Sequence, residues 1–305
     1  MRLAQGRKVA YDLLRMFGSL RSLGLVATSL LAIHAIACSV TTAEDAAEAE
    51  AGSTHALVSI TRTVSATAPE EVRADAFASF LRASADADAG SVLRGAGLAV
   101  DLPAAGECRR TTLGQALPGG PVTRAELLDV GEVTLVAGGS VTTLAPRAFP
   151  TVTDSISGVV YTTRDRTAAP LPAGSSYTIA TTGGSALGPL SGEGQAPAAL
   201  AEVKLAGVPL AEAATLPASQ EIELAWAAGS AGDRLYVEID SDAGASLCAF
   251  HDEAGHGVVP AAFAPPLGEA MFSVHRLRQA RFSEVGLSRG ELRFDFELSR
   301  SVSFE

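Results

Sequence analysis

Apolar and polar residues alternate with a period of two over much of the chain from residue 55 onward. Val58, Ile60 and Val64 alternate with polar neighbours. Segments 132–136, 141–144, 158–163 and 176–181 are short β-branched or apolar runs set between turn residues, and each predicts a strand. The C-terminal part is more regular. Ile222, Leu224 and Trp226 share one face, and Leu235, Val237 and Ile239 share another, with Tyr236, Glu238 and Asp240 opposite. In the last stretch Leu292, Phe294, Phe296 and Leu298, then Val302 and Phe304, alternate with Arg293, Asp295, Glu297 and Ser299. Such alternation marks strands with one buried and one wet face. Together with 203–208, 246–251 and 272–277 it gives six or seven strands in about 108 residues. That spacing predicts a small antiparallel sandwich of the immunoglobulin-like kind, with Trp226 as a core side chain.

One segment breaks the pattern. Pro69-Glu70-Glu71 precedes Val72, Ala76, Phe77, Phe80 and Leu81. Proline at a first helical position, acids in the first turn and the i, i+4 spacing predict a helix, with a strand over 76–82 as the rival. Residues 84–125 are rich in Gly, Pro, Ala and Asp and predict loops. Gly183-Gly184 and the stretch 191–197 place a boundary near Pro197. The expected fold class is therefore mainly β: two antiparallel β-sandwich domains, a β-rich one over 55–197 and an immunoglobulin-like one over 198–305.

The start of the chain has a different character. Arg15 and Arg21 flank an uncharged apolar run over 23–37, and the run ends in Ala35-Ile36-Ala37-Cys38. At about 15 residues it is short for a span across a bilayer and suits a signal-peptide core. The ending resembles the bacterial lipobox, although Ala35 stands where leucine is usual. The resemblance implies cleavage before Cys38 and lipidation of its sulfur, with 1–37 as signal peptide. Ser39 follows the cysteine in place of aspartate, which implies the outer membrane. Residues 38–54 carry Glu44, Asp45, Glu48 and Glu50 among Thr, Ala and Gly and read as a disordered, flexible acidic tether. The long leader also makes Met16 a candidate start.

Charge narrows the partners. Loss of Arg2, Arg7, Lys8, Arg15 and Arg21 with Asp12 takes the formal charge from −11 to about −15. A surface that acidic repels phosphate backbones, so nucleic acid is excluded as a partner. The expected partners are the membrane, through the lipid, and an envelope polysaccharide or protein. Lys8 and Lys204 are the only lysines, a composition that reflects a GC-rich genome.

Beyond Cys38 the cysteines are Cys108 and Cys248. In an oxidising compartment they bridge, or they remain two separate buried thiols, and the sequence leaves both open. Cys248 falls in a predicted strand and Cys108 in a predicted loop.

Candidate chemistry is sparse. His251, Glu253 and His256 are the nearest approach to a metal cluster, but the histidines are five apart and Gly255 and Gly257 break any helix, so a hairpin turn accounts for them. Residues 86–90 and 240–244 share a D-x-D-x-G form without the remaining ligands of a calcium loop, and turn chemistry accounts for both. There is no G-x-S-x-G elbow and no P-loop. The reading assigns no catalytic residue, no metal ligand and no cofactor. The expected role is that of a non-enzymatic envelope lipoprotein, structural or adhesive. A carbohydrate- or peptide-binding module is the second reading and an envelope hydrolase the third.

Three stretches are similar to segments that recur in outer-membrane lipoproteins of myxobacteria. The first is Pro170-Leu171-Pro172-Ala173-Gly174, leading into Tyr177-Thr178-Ile179 and Gly183-Gly184. The second is Leu224-Ala225-Trp226 with Tyr236-Val237-Glu238-Ile239. The third is Cys248-Ala249-Phe250-His251-Asp252-Glu253-Ala254-Gly255, closing on Val258-Val259-Pro260. The likeness covers about residues 125–280. It implies a sandwich-built surface lipoprotein and carries no activity.

Overall fold

The computed structural model describes residues 52–84, 87–88, 101–111, 125–152, 156–163 and 171–305. The leader, Cys38, the tether up to residue 51 and most of residues 86–90 lie outside the described residues. All the described residues fall in one compact unit, Ala43–Glu305.

The alternation at Val58 and Ile60 builds β1 (Thr54–Ser65), which turns back through Ala66 and Thr67 into β2 (Ala68–Ala83). The helix expected after Pro69 is overturned: β2 is one long strand. Ala74, Ala76, Ala78 and Phe80 pair with Arg62, Ile60, Val58 and Ala56 of β1. All four β2 side chains are buried. Pro69 sits at the strand's beginning, where its missing N–H costs no interior ladder bond.

Three short strands or parts of strands follow: β3 (Cys108–Thr111), β4 (Ala125–Leu127) and β5 (Val133–Ala137). Next come β6 (Ser140–Val152), β7 (Ile156–Thr162), β8 (Ser176–Thr181) and β9 (Ser191–Gln195). Cys108, expected in a loop, thus lies on a strand. The expected strand over 203–208 is in fact a hairpin, β10 (Lys204–Leu205) and β11 (Val208–Pro209). Ala206 and Gly207 both take positive φ (48° and 79°), the geometry of a two-residue hairpin turn.

The remaining strands are β12 (Thr215–Leu216), β13 (Ile222–Ala225), β14 (Arg234–Ser241), β15 (Gly244–His251), β16 (His256–Val259), β17 (Gly268–Phe282) and β18 (Arg289–Phe304).

Two sheets result. The larger has 14 strands, in the order β3-β15-β14-β17-β18-β1-β2-β4-β7-β6-β5-β8-β9, with β12 added along β18. The smaller is β11-β10-β13-β16. Strand β6 belongs to two ladders: Ser140–Leu144 pairs with β5, and the stretch from Ala145 onward pairs with β7. This carries β5, β8 and β9 back over β1 and β18. β9 then lies so close to the shared sheet that a Cβ on Gly194 would stand 2.9 Å from Ala280 Cβ, and one on Gly192 2.7 Å from the Phe282 ring. Glycine is needed at both positions.

The two halves of the chain share the large sheet. β1 runs parallel to β18 over eleven paired residues, and β3 adds to the edge of β15. The described residues enclose two cores, and each takes residues from both sides of Pro197. The first draws on Val58, Ile60, Phe80, Leu135, Tyr161 and Tyr177 together with Leu292, Phe294 and Phe296 of β18. The second encloses Leu205, Leu224 and Trp226 of the small sheet and its flank against Leu235, Val237, Phe272, Val302 and Phe304 of the large one. Trp226 is buried as expected, and its indole N–H donates to the Asp252 carbonyl at 2.8 Å. Strands β17 and β18 therefore supply side chains to both cores, β17 through Phe272 and Val274 on one side and Ala280 and Phe282 on the other.

Between the cores lies an ionic layer. Arg276 of β17 is 2% exposed and contacts Asp252, with Nη2 donating to Oδ1 at 3.0 Å and Nε 2.6 Å from Oδ2, off the hydrogen-bond axis. Its guanidinium also donates to the carbonyls of Ala198, Ala199 and Ala227. Arg278 clamps Asp233 with two bonds of 2.6 Å and donates to the carbonyls of Gln195 and Ala196. The connecting segment 195–199 is thus held by two arginines of one strand. Apart from Arg276 Nε and Asp252 Oδ2, which meet only as an ion pair, these buried charges have the hydrogen bonds that burial demands.

Candidate functional site

The face of β14-β17-β18-β1 turned away from the cores carries the alternation's polar residues. The register sets Tyr236 beside His275, His275 beside Glu297 and Glu297 beside Thr63, across four strands. The rings of Tyr236 and His275 stack at 4.2 Å and 9°. Tyr236 Oη donates to Asp295 Oδ2 at 2.6 Å, and His275 Nδ1 lies 3.0 Å from Asp295 Oδ1. The carboxylate oxygen accepts, so Nδ1 is the donor of this pair and Nε2 is the ring's other nitrogen. That Nε2 is buried and makes no hydrogen bond. Burial pushes the Tyr236 hydroxyl far above its ordinary pKa, and the charges of Asp295, Glu238 and Glu297 push the same way, so it stays protonated.

Next along the face, Glu297 accepts from Ser273 Oγ at 2.9 Å and Thr63 Oγ1 at 3.0 Å. At the far end Glu291, 4% exposed, gathers Arg293 Nη2 at 2.6 Å, Gln279 Nε2 at 2.8 Å and Arg289 Nη2 at 2.5 Å. Burial raises the Glu291 pKa, but the charge of Arg293 and the hydrogen bonds from Gln279, Arg293 and Arg289 outweigh it, and the net shift is downward.

The face is covered at one end and open at the other. Leu102, from the loop 101–107, packs on Tyr236, Ala249 and Leu277, and Arg234 donates to the Pro103 carbonyl. The loop leads into β3, where Cys108 and Cys248 form a disulfide across directly paired positions with Cα atoms 4.0 Å apart. Past Glu297, β18 emerges at Ser299 and Ser301 beside a cleft of about 450 Å³.

The other candidates resolve as turns. His251, Glu253 and His256 are exposed around a single 3-10 turn at Asp252–Ala254, and His256 Nδ1 donates to the Ala254 carbonyl. Gly255 closes that turn in the left-handed region. Residues 240–244 form the β14–β15 hairpin, where Ser241 Oγ donates to the Gly244 carbonyl. Among the described residues no three His, Cys, Asp or Glu side chains group as metal ligands.

Sequence reasoning placed Arg293, Asp295 and Glu297 on the outer face. It missed Tyr236, His275 and Ser273 as their partners, and it missed the buried Arg276–Asp252 and Arg278–Asp233 pairs. The available signal was Arg276 and Arg278 continuing the Val274 face of an otherwise apolar strand. No protein-family model matches the chain, and no curated sequence matches it.

Proposed function

We propose that this protein is a non-enzymatic lipoprotein of the bacterial outer membrane, anchored through Cys38 and structural or adhesive in role. The observation that carries the reading is the apolar run closing on Ala35-Ile36-Ala37-Cys38, followed by an acidic stretch. The Cys108–Cys248 disulfide supports it, because such bonds persist in exported proteins. The likeness to myxobacterial lipoproteins and the immunoglobulin-like reading of 198–305 belong to the same proposal. The latter is supported by the small sheet facing β15-β14-β17-β18 around Trp226. In this reading His275 is a structural residue: it is 8% exposed, stacked on Tyr236 and bonded to Asp295.

The test is the mass of the amino-terminal peptide from the membrane fraction. A peptide that begins at Cys38 with a diacylglyceryl group is expected, and Cys38→Ser is expected to move the protein to the soluble fraction. An unmodified peptide, or one that begins elsewhere, overturns the anchor. A binding role is the second reading, favoured by the open cleft at the end of β18.

A further inference from the structure

We propose that the cleft beside β1 and β18 binds a carboxylate-bearing saccharide, with Arg73 holding the acid group. The inference rests on the adhesive reading above and names its ligand class. The cleft measures about 450 Å³, within the range of small-ligand sites. Register explains its lining. Ser65 pairs with Ser299, Arg73 with Thr63 and Met271 with Ser301, so four strands bring these side chains to one face. With Thr67 they supply five hydroxyls; Ser301 donates to Glu269 and Ser65 bonds Thr67, so these offer mainly lone pairs to the hydroxyls of a polyol, while Ser299 keeps its proton for the ligand. Met271 is 47% exposed, an apolar floor for the C–H face of a sugar ring. Thr63 Oγ1 spends its proton on Glu297 Oε2, so its lone pairs are the part left for a ligand hydroxyl.

Charge selects the acid. The chain is strongly acidic, at −11, and among the described residues Arg276, Arg278, Arg289 and Arg293 are all committed to carboxylates. Arg73 is exposed in the cleft and, among the described residues, has no ion pair or hydrogen bond. Its planar fork suits a carboxylate. Arg300 also lines the cleft, but its Nη1 is held by the Leu210 and Ala211 carbonyls, and Glu71 in the same cleft opposes a second acid group, so Arg73 is the guanidinium left to take the carboxylate.

The experiment titrates the full mature chain in detergent with a uronic-acid trisaccharide and with its carboxyl-reduced neutral counterpart. The acidic trimer is expected to bind more tightly. Arg73→Ala is expected to lower its affinity about tenfold while leaving the neutral sugar unchanged, as loss of one charge-assisted contact implies. Met271→Ala is expected to weaken both sugars, and Glu71→Gln to tighten the acidic one. Far-UV circular dichroism and the melting temperature confirm that each variant is folded. Equal binding of both sugars, an unchanged Arg73→Ala variant, or no binding of either overturns the proposal. So does displacement of the trimer by a short peptide at lower concentration than by the sugar itself. The anchor is read separately from the Cys38 peptide, so failure of this site and failure of the anchor are distinguishable.

Discussion

The two cores are built on the same strands but closed by different means. The C-terminal core lies against a separate small sheet, and its apolar residues follow a strict period of two. The N-terminal core is closed by the large sheet itself, which doubles back where β6 leaves β7 for β5. Aromatic contacts mark both: Tyr177 meets Phe294 edge-on at 5.0 Å in the first, and Trp226 meets Phe250 at 5.9 Å in the second. Because β17 and β18 run through both, neither core is complete without strands the other also uses. The ionic layer of Arg276, Arg278, Asp233 and Asp252 sits where they meet. Two cores on one hydrogen-bonded sheet should unfold as a single cooperative unit, and the layer between them is the place to break that unit.

The largest effect is expected at Arg276. Arg276→Met leaves Asp252 buried without its cation, and removing one partner of a buried pair costs about 3–5 kcal/mol. It also frees the Ala198, Ala199 and Ala227 carbonyls. Chemical denaturation followed by Trp226 fluorescence reports the C-terminal core, and far-UV circular dichroism reports the whole. The two curves are expected to coincide in the native sequence and to separate in the variant. Coincident curves in both would place the coupling in the β-ladders alone. Replacing Arg276 and Asp252 together by Met and Leu is expected to recover much of the loss, since an apolar pair leaves no stranded charge.

The same contrast explains what the sequence could reveal. Strands β14 and β18 have one polar face, so their period of two stands out, and the run 176–181 matches β8 to the residue. Strand β2 misled because Val72, Ala76 and Phe80 are four apart, a spacing that satisfies a helical period and a period of two alike. The intervening Ala74 and Ala78, both buried, are too small to reveal the strand. Strand β9 (Ser191-Gly192-Glu193-Gly194-Gln195) has no apolar position to reveal it, and β12 has two residues, too few for any period. Charges on β18 are legible as outward-facing, but the partners of Asp295 and Glu297 lie 20 to 234 residues away and depend on register. The same holds for Cys108: only the pairing of β3 with β15 brings it to Cys248. The double use of β18 was illegible because alternation shows which side of a strand is buried and not against what.

The disulfide tests the edge of the C-terminal core. It closes a separation of 140 residues and fixes β3, with the loop that places Leu102 over Tyr236. Reduction, or Cys108→Ser with Cys248→Ser, is expected to cost about 2–4 kcal/mol of stability. Hydrogen exchange is expected to rise in residues 101–111 and along β15, with β5 and β8 unchanged. Equal loss of protection in β5 and β8 would mean that the N-terminal core also depends on this edge.

The smallest effect concerns the opposite end of β18, where Glu291 sits beside the N-terminal core. Its folded pKa lies below the ordinary 4.5, so at acidic pH the unfolded chain binds the proton more readily than the native one. The resulting stability is fully present above the unfolded value and is lost as pH falls through the folded one. In Glu291→Gln that contribution is absent, and Arg289 and Arg293 lose their anion. The variant is therefore expected to melt below the native protein at pH 7, with the gap narrowing as pH is lowered from 5 towards 3. Exchange at Ser288–Arg293 and the facing β1 amides should rise first, because Ser288 N–H donates to Thr54 there and Glu291 pairs with Leu57. A gap that stays constant with pH would mean that Glu291 contributes through packing and not through its charge. Faster exchange in β14 and β15 instead would show that acid loosens the C-terminal core before it reaches this end of the strand.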